Sequence, residues 1–291
     1  MYSYRLGLTV LTCSFLIAPG AAAQTPQAAP VSASPSPTSP DPNMPRPIDA
    51  YDSVFIEELT WLEVRDAIKA GKDTVIVATG GMEMNGPYLA TGKHNYVLRA
   101  TTEAIARKLG NALVAPIIAF VPEGNIDPPS SHMRYPGTIS LQEDTYKRLL
   151  TDVAASLRAN GFKHIVFIGD SGGNQEGMKQ VAAELSSKWT GGGARIHFIP
   201  EYYDYPGLQK WLATQGFPQV DEGHHDDFGI SSIMMTVDPN TVRMRQRMAK
   251  GKFSINGVNM APAEKTIAIG KKGVEYRAAA TVAAIKKAIG R

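Results

Sequence analysis

The chain has 291 residues, of which 43% are hydrophobic and 20% charged, with a formal net charge of +3 and one cysteine. So small a charge, on scattered lysines and arginines, argues against a nucleic-acid partner, which needs a concentrated basic patch. One cysteine excludes a disulfide-held fold, so an ordinary apolar core must stabilise it, and a chain of this length can bury one.

Met1–Arg5 carries a positive charge, an apolar stretch follows from Leu6 to about Pro19, and Gly20-Ala21-Ala22-Ala23 precedes Gln24. This is the pattern of a secretory signal peptide over residues 1–23, so the mature chain is expected to be periplasmic or secreted. The apolar stretch is too short to span a membrane comfortably, and no later segment is long enough, so no membrane span is expected. Cys13 lies inside the signal, and Thr12 before it disfavours lipid attachment. Residues 24–47, "QTPQAAPVSASPSPTSPDPNMPRP", are dense in Pro, Ala and Ser without an aromatic residue, as a disordered, semi-rigid linker would be. A single folded domain is expected over 48–291.

Strand and helix signals then alternate. "LTWLEVRDAIKAG" has apolar residues at helical spacing, with Thr60 as N-cap and Gly71 as the stop. "DTVIVATGG" is a β-branched run ending in glycines. A helix is expected around Tyr96–Leu109, then a strand over "ALVAPIIAFV". "SLQEDTYKRLLTDVAASLRANG" is the clearest helix, with Ser140 and Glu143 placed as a capping box and Gly161 at its end. "HIVFIG", "EGMKQVAAELSSKW" and "ARIHFIP" read as strand, helix and strand, and "VEYRAAATVAAIKKAI" as a last amphipathic helix. This alternation predicts an α/β fold, a three-layer α/β/α arrangement around a mostly parallel sheet. In such sheets ligands bind where strands end and helices begin, which singles out the loops Gly80–His94, Gly169–Asn174 and the stretch Glu222–Ser232.

These loops are rich in chemistry: "GGMEMNGPYLATGKHNYVLRA", "SSHMRYPGTISL", "GDSGGN" and "DEGHHDDFGISSIMMTVDPNTVR". In this order and spacing they resemble the creatininase (creatinine amidohydrolase) family, metal-dependent hydrolases of cyclic amides and related C–N bonds. The family carries Glu-x-His-Gly-Pro-His-Leu-Pro-x-Gly-x-Asp in the first loop, Pro-Gly-Thr before the long helix and Asn-Gly-His-Gly-Gly-Asn in the third. The resemblance runs from about Leu59 to the last helix. It implies a small-molecule amide substrate and leaves a symmetric homo-oligomer open.

The resemblance places Glu83 on a metal-binding glutamate. Asn85 stands where the family has a metal-binding histidine, His94 where it has the aspartate that bridges two metals, and Ser171 where it has another metal-binding histidine. His225, or His224 beside it, falls on a histidine thought to transfer protons. A bridging site needs two carboxylate oxygens, which one imidazole nitrogen cannot supply, so a single divalent ion, zinc or manganese, is expected. Glu83, His94 and Asp170 would hold it, with Asp226 or Asp227 nearby, leaving a position for water. Asn85 and Ser171 would orient that water or bind the developing oxyanion. His132 has two readings, a lining of the site and a structural hydrogen bond.

Gly169-Asp170-Ser171-Gly172-Gly173 between strand and helix also spells a nucleophile elbow. A metal-free serine hydrolase on Ser171 is therefore a second reading, with Asp204 or Asp221 and then His224 or His225 downstream to complete a triad. A third is a non-catalytic binding protein whose metal site has decayed.

Overall fold

A computed structural model describes residues 39–291; the expected signal peptide and the linker up to residue 38 lie outside the described residues. The chain divides into two units, and Pro45–Arg291 contains every helix and strand discussed below.

Helix α1 (Trp61–Lys69) opens with the capping box its sequence suggests: Thr60 Oγ1 accepts from the Glu63 N–H, and Glu63 accepts from the Thr60 N–H. Strand β1 (Thr74–Thr79) is buried throughout. Helix α2 (Lys93–Leu109) starts earlier than Tyr96, because Lys93 and His94 turn inward as its first residues. Strand β2 (Ala112–Val114) is much shorter than its apolar run. Pro116 supplies no N–H for a ladder, and past it only isolated bridges remain, Thr79 with Ile118 and Val121 with Ser140.

Helix α3 (Glu143–Ala159) has Gln142, not Ser140, as its N-cap, and no capping side chain. The Ser140 hydroxyl is used elsewhere: it accepts from the Glu123 N–H at 2.9 Å and donates to the Gly124 carbonyl at 2.7 Å. Strand β3 (His164–Gly169), helix α4 (Gln175–Lys188) and strand β4 (Arg195–Phe198) follow as expected. The remaining elements are α5 (Tyr205–Thr214), α6 (Phe228–Val237), α7 (Met244–Ala249), the hairpin β5 (Ser254–Ile255) and β6 (Val258–Asn259), and α8 (Ala263–Ile289). The last helix thus starts at Ala263, well before Val274.

The main sheet has the order β2-β1-β3-β4, with every pair parallel. One face carries Val75, Val77 and Phe167 against Tyr146, Leu150, Met178 and Val181 of α3 and α4. The other carries Ile76, Val166 and Ile168 against Leu98 and Ile105 of α2 and Ala278 and Ile285 of α8. The fold is a three-layer α/β/α sandwich. A third cluster forms around α6, where Ile233 and Met234 pack among Leu208, Leu212 and Val97.

Helix α6 is buried almost all round, so α8 must approach it closely. Gly270 allows this: a Cβ there would lie 2.0 Å from the Ser232 carbonyl oxygen. Gly270→Ala is therefore expected to destabilise the protein by about 1–3 kcal/mol through overpacking. Urea unfolding would check this, and an unchanged midpoint would show that the two helices can separate freely.

Candidate active site

The carboxyl ends of β1 and β3 lie side by side, with Thr79 opposite Gly169, so the loops that follow them meet over the sheet. The first carries Glu83, which is 2% exposed. Four side chains converge on its carboxylate. Lys93 Nζ lies 3.0 Å, His94 Nε2 2.8 Å and His225 Nε2 3.0 Å from Oε1, and His132 Nε2 lies 3.4 Å from Oε2. Burial opposes the charge on Glu83, but the hydrogen bonds from His225 and His94, with the charges of His94 and Lys93, hold its pKa far below the usual range.

Behind Glu83 runs a buried row of alternating charge. His94 Nδ1 lies 2.8 Å from Asp170 Oδ2, and Asp170 Oδ1 accepts from Arg277 Nη2 at 2.7 Å. Both ring nitrogens of His94 thus face carboxylates, and to satisfy both the ring must be an imidazolium with two N–H donors. Burial and Lys93 disfavour that charge, yet the bonds to Asp170 and Glu83 raise the pKa of His94. Burial likewise opposes the Asp170 carboxylate, and Arg277 and His94 lower its pKa. Arg277 also donates to the Tyr202 carbonyl, and the Tyr205 hydroxyl donates to Asp170 Oδ2.

Glu123, on the loop after β2, is a second buried carboxyl beside Glu83. Its side chain crosses directly over the first loop, since a Cβ on Gly81 would lie 2.2 Å from Glu123 Oε1. Burial and the negative charge of Glu83 push its pKa up to about 8. A cavity of about 920 Å³ opens above these groups, lined by Glu83, Lys93, Glu123, His132, Ser171 and His225 among others.

The structure sorts the expected residues in a particular way. Glu83, His94 and Asp170 do meet, but as a hydrogen-bonded row rather than as three donors around one point. In this arrangement neither nitrogen of His94 has a free lone pair, and both Asp170 oxygens are engaged. The donors that do converge are Glu83, His132 and His225, whose ligand atoms lie within 4.8 Å of one another. A carboxylate with two imidazoles suits a divalent transition ion, and the cavity leaves its outer side open. These residues therefore fit such an ion, provided the ion takes the place of Lys93 on Oε1.

The other candidates have local duties. Asp227 caps α6 by accepting from the Ile230 N–H at 2.8 Å, and Gln219 donates to its other oxygen at 2.9 Å. His224 is exposed, and its carbonyl accepts from the Gly86 N–H at 2.8 Å. Asn85 donates to the Glu83 carbonyl at 2.9 Å, leaving its buried Oδ1 without a partner among the described residues. Ser171 lines the cavity, but its hydrogen bonds run through its carbonyl, to Gln175 and Asn174, and no histidine among the described residues bonds its hydroxyl. Among the described residues the triad of the second reading does not form: Asp204 accepts from the Gly207 N–H, Asp221 accepts from the Gly223 N–H, His225 bonds Glu83, and His224 is exposed.

Lys93, Glu123 and Arg277 went unread in the sequence. Arg277 had a detectable signal: it shares the buried stripe of α8 with Val274, Ala278, Thr281 and Ile285, where an unpaired charge would be costly. Backbone strain also marks the site, since His225 (φ 55°) and Ser131 (φ 50°), next to His132, adopt left-handed conformations.

A buried histidine–carboxylate centre thus sits at the strand ends of an α/β fold, where such folds bind their ligands. The family model for creatininase, described as creatinine amidohydrolase, matches residues 57–287, and the chain belongs to that family. Creatinine amidohydrolase from Pseudomonas putida is 25% identical over 197 residues, 65% of this chain and 74% of the relative. A 3-dehydro-scyllo-inosose hydrolase from Thermotoga maritima is 24% identical over 135 residues, 46% of this chain but only 40% of that protein. A crystal structure of creatininase superposes with a TM-score of 0.55 at 22% identity, covering 82% of this chain and 98% of that one. Related creatininase structures include a Mn form and a mutant of Zn–Zn type. Together with the convergent triad, these support a divalent metal ion.

The charge row makes a sharp prediction. Asp170→Ala leaves Arg277 and the His94 imidazolium buried without their shared partner, which should cost about 3–5 kcal/mol. Because the Asp170 pKa is lowered by folding, its contribution is present above the unfolded value and is lost as pH falls below about 4. His94, with a raised pKa, contributes fully below about pH 6.5, and its contribution is lost as pH rises through the folded value. Chemical denaturation of Asp170→Asn and wild type from pH 3 to 8 should therefore show a gap that narrows at the acid end. A gap independent of pH would mean that the carboxylate charge is not what Asp170 contributes.

Proposed function

We propose that the chain is an exported, metal-dependent amidohydrolase that cleaves the C–N bond of a small amide, cyclic amides included. The observation that carries this reading is the convergence of Glu83, His132 and His225 beneath a polar cavity at the strand ends. Export rests on the sequence of residues 1–23. No helix among the described residues is long and apolar enough to cross a membrane.

Glu83, His132 and His225 would hold one divalent ion, zinc or manganese. When bound, it supplies Lewis acidity that lowers the pKa of water and polarises a carbonyl. In net terms, hydrolysis forms a bond from a water oxygen to the carbonyl carbon, breaks C–N and returns a proton to the nitrogen. His94 fixes the Glu83 carboxylate by donating to Oε1, and Asp170 with Arg277 fixes His94 in turn. Glu123, with its pKa near 8, is protonated at neutral pH and can give that proton to the departing nitrogen. Asn85 holds the first loop in place, while Ser171 and the turn after it form the opposite wall, where a carbonyl oxygen can be received.

Elemental analysis of the chain from Gln24 onward, made without a metal-binding tag, tests this reading. About one equivalent of transition metal is expected, lost in both His132→Ala and His225→Ala, together with hydrolysis of members of an amide panel that stops on chelation. Metal retained in those two variants but lost in His94→Ala would transfer the ion to the Glu83–His94–Asp170 set. Absence of metal after reconstitution would end the hydrolytic reading.

A further inference from the structure

Lys93 is an unusual neighbour for a metal site. It is the first residue of α2, only 6% exposed, and its Nζ lies 3.0 Å from Glu83 Oε1 and 3.5 Å from His225 Nε2. Glu83 and His225 are also ligands in the proposed ion site, and these are the atoms through which they face each other, 3.0 Å apart. Zinc bonds lie near 2.0–2.2 Å, so an ion bonded to both would need much of the volume that the ammonium occupies. A dication and an ammonium in contact also repel strongly wherever water is scarce. The two cations cannot share Glu83 Oε1 and His225 Nε2.

We propose that Lys93 is a built-in rival of the metal ion: its ammonium is the resident counter-cation of Glu83 and must be displaced before Glu83 and His225 can hold an ion. The inference rests on the reading of Glu83, His132 and His225 as the ligands. Displacement is feasible because Lys93 already lines the cavity, into which a flexible four-carbon stem can move its charge. Two consequences follow. Without an ion, Lys93 joins the His94 imidazolium on Glu83 Oε1, so the site keeps its shape. In addition, only ions with a strong preference for imidazole can win the exchange. Transition dications do so, whereas magnesium and calcium, which favour oxygen ligands, do not.

The test measures zinc affinity by competition with a chromophoric chelator, and cobalt(II) uptake by its visible absorption, for wild type, Lys93→Met and Lys93→Arg. Lys93→Met removes the rival charge at similar volume and should bind zinc ten- to a hundredfold more tightly. Lys93→Arg retains the charge and should stay within a few-fold of wild type, while Glu83→Gln should abolish uptake in all backgrounds. Lys93→Gln serves the same purpose if the methionine variant does not fold, as judged by circular dichroism. Zinc binding in Lys93→Met no tighter than in wild type would overturn the rivalry while leaving the ion site standing. No uptake by either protein would overturn both the rivalry and the ligand assignment.

Discussion

The buried carboxylate of Glu83 is the constraint around which the site is arranged. A charge taken out of water must be met by partners or neutralised, and here the partners come from α2, from the loop before α3 and from the loop before α6. Each partner brings its own demand. His94, once an imidazolium, needs a second acceptor and finds Asp170; Asp170 then needs a second cation and finds Arg277. The row ends there, where Arg277 lies against the Tyr202 ring. Charge alternates along the whole line, so no member can be exchanged without unbalancing its neighbours.

Glu123 shows the same constraint acting in the other direction. With Glu83 held ionised, burial and that negative charge push the pKa of the second carboxyl beside it up to about 8. One carboxyl is thus held as an anion and the next as a proton store, although they are the same functional group. Their difference comes from what surrounds them, and it gives the cavity floor both an acceptor and a donor.

The fold was largely legible because β1 and β3 are apolar runs rich in valine and isoleucine and closed by glycine, and because α1, α3 and α4 have clear helical spacing. Elements were missed where local signals conflict with tertiary context. The start of α2 reads as a loop because its inward residues are Lys93 and His94, and α6 shows no amphipathic stripe because it is buried almost all round. The early turns of α8 were not read from the sequence, and there Gly270 provides room for the Ser232 carbonyl. Within the site, family motifs pointed to Glu83, His94 and His225, and the loop chemistry to Asp170; these four do gather. Motifs could not say which of them bond one another and which remain open to an ion. That depends on Lys93, Glu123 and Arg277, whose positions are set by long-range packing.

Arg277 also gives the site a place in time. It belongs to the last helix of the chain, yet it supplies the counter-charge for Asp170, which lies 107 residues earlier. While the chain is made from its N-terminus, the strands and loops bearing Glu83, His94 and Asp170 exist before α8 does. Until that helix docks, Asp170 has no guanidinium and the imidazolium beside it has an uncompensated partner. The centre is therefore complete only once α8 is in place, and a chain cut before that helix would lack the guanidinium that balances Asp170.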